Sequence, residues 1–333
     1  MYGGYTPEIG YTLLRLLAGC FGRRWLSSVL LMRYILAWGN NLTGNLDPTS
    51  SDSILSIPRH VLAELDVEEL KWSSWASTIV RGRSALCMRR LLTTIVGDDY
   101  YSWGSAMPES PGQNAVRLSP TTEPLRFLGL DESTAYLDRD GYVHPLPDDG
   151  PKSSTAWRDV VMTGPGPIYT LSSDENSCKR VHCFQNMEQM MANIDPTPIS
   201  HPLLGSICSL YATESRIFGL TSGPLTHVLE IDEKGSVKLV EDLEGLGIKS
   251  VVAGSGNRLG VITEAGDAYL INRRSMEPKL LEIEDESAVR FLGVGSRHEV
   301  VVTEENVWVR GESESSDMAE ADEQTSSGSW VWT

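Results

Sequence analysis

Apolar residues in this chain fall in short runs of valine, isoleucine and leucine, punctuated by glycine, and few stretches keep a helical period. Runs of that kind predict strands, so the chain reads as mostly β. Residues 251–271 (VVAGSGNRLGVITEAGDAYLI) read as an apolar strand, a glycine turn, a second strand ending in Thr263, a tight turn and a third strand. Residues 291–310 (FLGVGSRHEVVVTEENVWVR) repeat that order, and aligning Gly254 with Gly295 brings Thr263 and Thr303 within one residue of each other. Each threonine closes a strand at a turn, where its hydroxyl can bond local backbone.

Weaker copies follow the same pattern. Residues 126–144 carry an Asp140-Gly141 hairpin signal. Residues 203–218 keep Gly205 and a strand ending at Thr213, residues 70–104 surround an insertion, and residues 160–184 keep Gly164. The anchors Trp72, Phe127, Val160, Leu204, Val251 and Leu292 stand 55, 33, 44, 47 and 41 residues apart. A period of roughly 40 to 50 with three or four strands per unit predicts a β-propeller. Its innermost strands converge, which suits the small residues of Ala253-Gly254 and Gly293-Val294-Gly295.

Trp38, Gly39, Asn40, Asn41, Gly44 and Leu46 (WGNNLTGNL) form a distinctive stretch, and Ser102, Trp103 and Gly104 match its beginning. Near the other end stand Gly295, His298 and Thr303, followed by Trp308 and Gly311. These segments resemble the regulator-of-chromosome-condensation repeat: a glycine, a short strand ending in threonine, a turn, a strand ending in Trp-Gly, then an asparagine and a Gly-Leu pair. The family's Gly-Gln-Leu-Gly ending is nowhere intact. The resemblance spans about residues 33–311 and implies an all-β, seven-bladed propeller, with six blades as the fallback, a fold shared with the beta-lactamase-inhibitor protein II group. His298 would be structural.

Residues 34–38 enter the pattern in mid-repeat, so the expected partner strand is the C-terminal one, where Trp330 and Trp332 alternate around Val331. The expected organisation is a non-propeller extension at 1–32, a propeller at 33–311, an acidic flexible segment at 312–328 and a closing strand at 329–333.

Charge sharpens these boundaries. Residues 1–33 carry four arginines against Glu8, net +3, so the −17 of the whole chain leaves −20 for the other 300 residues. That segment reads as dispensable for the fold, or as a mitochondrial presequence, the alternative to a cytoplasmic or nuclear location. The acidic remainder disfavours direct nucleic-acid binding. Five cysteines, an odd number, do not suggest a disulfide framework. No apolar run reaches the length of a membrane span, so no membrane association is expected.

Candidate chemistry is sparse. Gly254, Gly256 and Gly260 lack the G-x-G-x-x-G spacing, and a hairpin instead of a helix follows them. Cys178, His182 and Cys183 are the one Cys/His cluster, but adjacent strand residues project to opposite faces, so they read as structural. No catalytic, cofactor or metal residues are assigned. Candidate partner-binding residues are Met187, Met190 and Met191, on two helical turns, with capping of the protein's own core as the alternative. A Pro- and Ser-rich insertion at 104–124 reads as an exposed loop. The expected function is a non-enzymatic adaptor for a protein partner. The resemblance also implies nucleotide exchange on a small GTPase, or an accessory role beside a chromatin-modifying enzyme. A further alternative is the alpha-tubulin-suppressor-like role in transfer-RNA and diphthamide modification.

Overall fold

The computed structural model describes residues 9–14, 34–40, 54–61, 65–73, 77–84, 99–104, 116–129, 133–147, 150–164, 166–172, 180–199, 201, 207–223, 226–232, 234–254, 257–272, 277–283, 287–295, 298–311 and 328–332. The chain divides into two compact units, residues 1–121 with 131–133, and residues 122–130 with 134–333.

The first unit holds two antiparallel sheets. One is β1 (Ile9–Leu14), β2 (Tyr34–Asn40) and β3 (Ile54–Val61), in that order. The other is β4 (Leu65–Ser73), β5 (Ser77–Ser84), β6 (Asp99–Gly104) and β7 (Val116–Leu118).

The second unit is a succession of up-and-down sheets, each made of strands in chain order. The first is β8 (Pro124–Gly129), β9 (Ser133–Asp138) and β10 (Val143–Pro145). The second is β11 (Trp157–Met162), β12 (Ile168–Ser172), β13 (Val181–Phe184) and β14 (Thr197–Ile199), with helix α1 (Met187–Ala192) before its last strand. The third is β15 (Ile207–Ala212), β16 (Ile217–Thr221), β17 (Val228–Ile231) and β18 (Val237–Leu239). The fourth is β19 (Ile248–Ala253), β20 (Leu259–Thr263), β21 (Ala268–Ile271) and β22 (Pro278–Leu280). The fifth is β23 (Phe291–Val294), β24 (His298–Val302), β25 (Val307–Gly311) and β26 (Gly328–Trp332).

The first strands β8, β11, β15, β19 and β23 lie beside one another in that order. Antiparallel meanders that meet along their first strands are the blades of a β-propeller. The core lies in the seams between blades. One seam joins Tyr169, Leu171 and Val181 to Ile207, Leu210 and Ile217, and the next joins Phe218 and Val228 to Val251, Leu259 and Val261. A strand covered by a blade on each side loses its polar face, which is why β20 (LGVIT) is buried throughout and reads as one apolar run. Gly254 and Gly260 allow the fourth and fifth blades to approach. A Cβ at Gly254 would stand 2.6 Å from the Val294 carbonyl oxygen, and one at Gly260 would stand 2.5 Å from Leu292 Cδ2.

One turn recurs at the end of the second strand of each of these five blades. The N–H groups of Asp138, Ser172, Thr221, Thr263 and Thr303 donate to the carbonyls of Tyr142, Arg180, His227, Asp267 and Asn306. The N–H groups of those same five partners donate back to the side-chain oxygens of Asp138, Ser172, Thr221, Thr263 and Thr303, at 2.8, 3.2, 2.8, 3.1 and 3.0 Å. The pairing of Thr213 with Thr263 is therefore corrected to Thr221. Thr213 follows the first strand of its blade, and a threonine is equally able to close that earlier turn.

Two further differences concern the blade count and the C-terminal strand. Counted from β4 to β26, six sheets follow one another, matching the six-blade fallback in place of the expected seven. The sheet β1-β2-β3 precedes them, and within residues 1–32 it takes β1, in which Ile9 to Leu14 pair with Gly39 to Tyr34. The C-terminal strand β26 pairs with β25, Trp330 opposite Val309 and Trp332 opposite Val307, so it completes its own blade instead of joining β2. Closing the segment of 16 residues between β25 and β26 costs less chain entropy than uniting the two ends of the chain, which favours that pairing.

Candidate functional site

The repeat-signature residues lie on strands and turns. Trp38 and Gly39 pair with Gly10 and Ile9, and Trp103 and Gly104 end β6 opposite Thr78 and Ser77. His298 opens β24 opposite Gly311, and Trp308 of β25 packs against the Leu292 and Val301 cluster. The Gly295 carbonyl accepts a 3.0 Å hydrogen bond from Arg258, whose guanidinium also pairs with buried Glu299. Asn41, Gly44, Gly256, Cys178 and the insertion at 105–115 lie outside the described residues.

The methionine helix turns inward. Asn186 caps α1 by accepting the Gln189 N–H at 2.9 Å. Met190 is fully buried against Leu137, Val160, Ile168 and Phe184, with Met187 and Met191 packed against the same cluster. Met190 fills the seam between the first two blades of this unit, in line with the core-capping alternative, while Met187 and Met191 are half-buried beside it. His182 and Cys183 are consecutive in β13, opposite Thr170 and Tyr169. Among the described residues no three His, Cys, Asp or Glu side chains are placed to hold a metal ion.

Thr122, His144, Asp138 and Tyr136 form a buried network with the composition of a nucleophile relay. His144 Nε2 lies 2.8 Å from Asp138 Oδ2, and Thr122 Oγ1 lies 3.4 Å from the same Nε2 and 3.3 Å from the same carboxylate oxygen. A relay needs hydroxyl and carboxylate on opposite ring nitrogens. Here both address one nitrogen, so Asp138 cannot orient His144 to activate Thr122. Burial would raise the Asp138 pKa, but hydrogen bonds from His144, the Tyr142 N–H and Thr122, with the charge of His144, hold it below the usual carboxylate range. Tyr136 stacks on the imidazole at 4.9 Å. The network clamps the β9–β10 hairpin, whose Gly141 takes φ +88° in the turn that the Asp-Gly pair predicts.

A second constellation spans three blades. Arg126 Nη1 of β8 lies 3.0 Å from Asp159 Oδ1 on β11 and donates to the carbonyl of Leu210 on β15 at 3.0 Å. Buried Asp159 also accepts the N–H groups of Leu210 and Val160, at 2.7 and 2.9 Å. Burial pushes its pKa up against the opposing effects of Arg126 and the two amides. Nothing in the sequence distinguished Asp159 from the other acidic residues; the missing information was that three inner strands meet.

The inner strands share a further regularity. Pro124, Trp157, Ile248 and Val289 are buried, and the residues that follow them, Leu125, Arg158, Lys249 and Arg290, are exposed, Arg290 standing just before β23; in β15 the corresponding Cys208 is half-buried, with its thiol donating to the Leu220 carbonyl at 3.3 Å. In β11, β15 and β19 that residue sits in a β-bulge, which in β11 and β19 leaves its side chain exposed. Because successive inner strands adjoin, these positions form a rim where the strands begin. It carries three cations and no anion in a chain of net charge −17. Arg290 pairs with Glu304 of the neighbouring turn, whereas Arg158 and Lys249 make no ion pair among the described residues.

Among the described residues no helix is long and apolar enough to cross a membrane. No protein-family model matches this chain, and no curated protein matches it. Among solved structures the chain is similar to Prp20p from Saccharomyces cerevisiae at 15% identity, over 84% of this chain and 68% of that one, with a TM-score of 0.36. It is similar to YCF48 from Cyanidioschyzon merolae at 11% identity, over 83% and 90%, with a TM-score of 0.45. The β-propeller domain of the Trilobed protease from Pyrococcus furiosus matches at 9% identity, over 74% and 82%, also at 0.45.

Proposed function

We propose that this chain is a non-enzymatic protein-interaction scaffold, an adaptor of the regulator-of-chromosome-condensation-like propeller class, working in the cytoplasm or nucleus. One observation carries the reading: the buried carboxylates of Asp138, Asp159 and Glu299 are engaged in holding turns and blades together, while solvent-facing cations and apolar side chains gather where the inner strands begin. Asp138 and Asp159 each accept backbone N–H groups that fix the fold. Asp138 is further engaged by His144 and Asp159 by Arg126, so neither carboxylate is presented to a substrate.

The test is purification of the tagged full chain from a native lysate, with mass spectrometry of what it retains. The scaffold reading expects a stoichiometric protein partner. Recovery of the chain alone under low-salt conditions overturns it. The alternatives give different outcomes: accelerated release of a fluorescent guanine nucleotide from a recovered small GTPase marks an exchange factor, and co-purification of a chromatin-modifying, transfer-RNA-modifying or diphthamide-forming enzyme marks an accessory subunit.

A further inference from the structure

Two of the four large apolar side chains exposed among the described residues stand beside the cationic rim. Leu125 is 53% exposed at the rim position of β8, and Phe291, the first residue of β23, is 50% exposed directly after Arg290. Between them along the five inner strands come Arg158, Cys208 and Lys249. Arg126, directly behind Leu125, is held by Asp159 and by the Leu210 carbonyl, so it is already neutralised. Arg290 is likewise paired, with Glu304. The charge available to a ligand is therefore that of Arg158 and Lys249, flanked by exposed carbon surface at both ends of the arc. Bulges set this arrangement: an inserted residue in β11 and in β19 leaves Arg158 and Lys249 exposed, while the matching bulge in β15 holds Cys208 half-buried against the Leu220 carbonyl.

We propose that this rim is a docking site for an acidic peptide segment of a partner protein, with Arg158 and Lys249 meeting its carboxylates and Phe291, on the strand beside that of Lys249, taking an apolar side chain within it. Charge complementarity selects this occupant. The chain as a whole carries −17, so an acidic segment is repelled by most of its charge and drawn to exposed cations such as Arg158 and Lys249. A second copy of the chain would bring its own negative charge, and a basic partner would meet Arg158 and Lys249 directly. The proposal rests on the scaffold reading and names the chemistry of its partner.

The test is fluorescence anisotropy with the full chain and three labelled twelve-residue peptides: Glu/Asp-rich with a central Phe, the same with Ala in place of Phe, and a Lys-rich counterpart with the Phe. The expected result is saturable binding of the first, at least tenfold weaker binding of the second and none of the third, with affinity falling as salt is raised. Arg158→Glu with Lys249→Glu should weaken the first peptide at least tenfold, whereas Arg158→Lys should retain it; unchanged circular dichroism and melting temperature would exclude misfolding. Phe291→Ser should remove the advantage of the Phe-containing peptide over the Ala-containing one. Failure of the acidic aromatic peptide to bind, or unchanged binding by the double reversal, overturns the proposal. Tighter binding after deletion of residues 314–323 also overturns it, by making the chain's own acidic run the occupant. If the double-reversal variant still retains a stoichiometric partner from lysate, the scaffold reading stands and the rim proposal falls.

Discussion

Arg126 and Asp159 are 33 positions apart in the chain and 3.0 Å apart in space, and the same guanidinium nitrogen reaches the Leu210 carbonyl, so one side chain joins three successive inner strands. Arg126→Met leaves the Asp159 carboxylate buried with only its two backbone donors. Breaking a buried pair costs about 3–5 kcal/mol, and the partial exposure of Arg126 brings the expected loss to about 2–3 kcal/mol. Urea denaturation at pH 7 measures it. A loss below about 0.5 kcal/mol, the range of an ordinary surface substitution, would mean the pair holds nothing together.

Asp138 and Asp159 are expected to respond to acid with opposite signs. The folded-state pKa of Asp138 is depressed, so its contribution is present above the unfolded value of about 3.9 and is lost as pH falls through the folded value. The folded-state pKa of Asp159 is raised, so the protein gains stability from this group as pH falls toward about 3.9. Asp138→Asn should flatten the acid side of the stability profile, and Asp159→Asn should steepen it. Denaturation midpoints measured between about pH 3 and 7 separate the two, and parallel profiles would refute both assignments.

Gly254→Ala and Gly293→Ala test the close approach of inner strands. An added Cβ at Gly254 meets the Val294 carbonyl oxygen and Cγ1 at 2.6 Å, whereas at Gly293 its nearest neighbour is the Phe291 ring at 3.5 Å. The first substitution should cost about 1–3 kcal/mol as an overpacked contact. The second should cost well under 1 kcal/mol, the range of a tolerated change. Equal melting temperatures for the two variants would contradict the packing described.

Met190→Ala removes a fully buried side chain from the seam that α1 covers. The expected loss is about 2–4 kcal/mol in thermal or chemical unfolding. Retention of a protein partner should be unchanged in the folded variant. A weakened partner with unchanged stability would give the methionines a binding role.

Deletion of residues 328–333 removes β26 and uncovers β25 along five paired residues, whereas deletion of residues 314–323 removes none of the described strands. The first deletion should lower the melting temperature by several degrees more than the second. Deletion of residues 1–31 should accelerate amide exchange in β2, which loses the partner strand Ile9–Leu14. Equal protection of β2 in the two chains would return that segment to the dispensable role its charge suggests.

The strands, the repeat and its turns were legible in the sequence because each is written in contacts between near neighbours. Thr263 and Thr303 close turns by accepting N–H groups four and three residues ahead, and Asp140-Gly141 makes its hairpin locally. The same locality misled at Thr213, since a threonine can close either turn of a blade and only the pairing of β16 with β17 picks out Thr221 as the counterpart. The helical period of Met187, Met190 and Met191 marked an apolar face, but whether that face met a partner or the protein's own seam depended on Leu137, Val160 and Phe184 arriving from three other strands. The strand partners of the two ends, the bridge from Arg126 to Asp159 and the rim of Arg158 and Lys249 were decided by tertiary structure alone. Each depends on residues tens of positions apart being brought to one level by the packing of successive blades, and no local pattern of side chains encodes that distance.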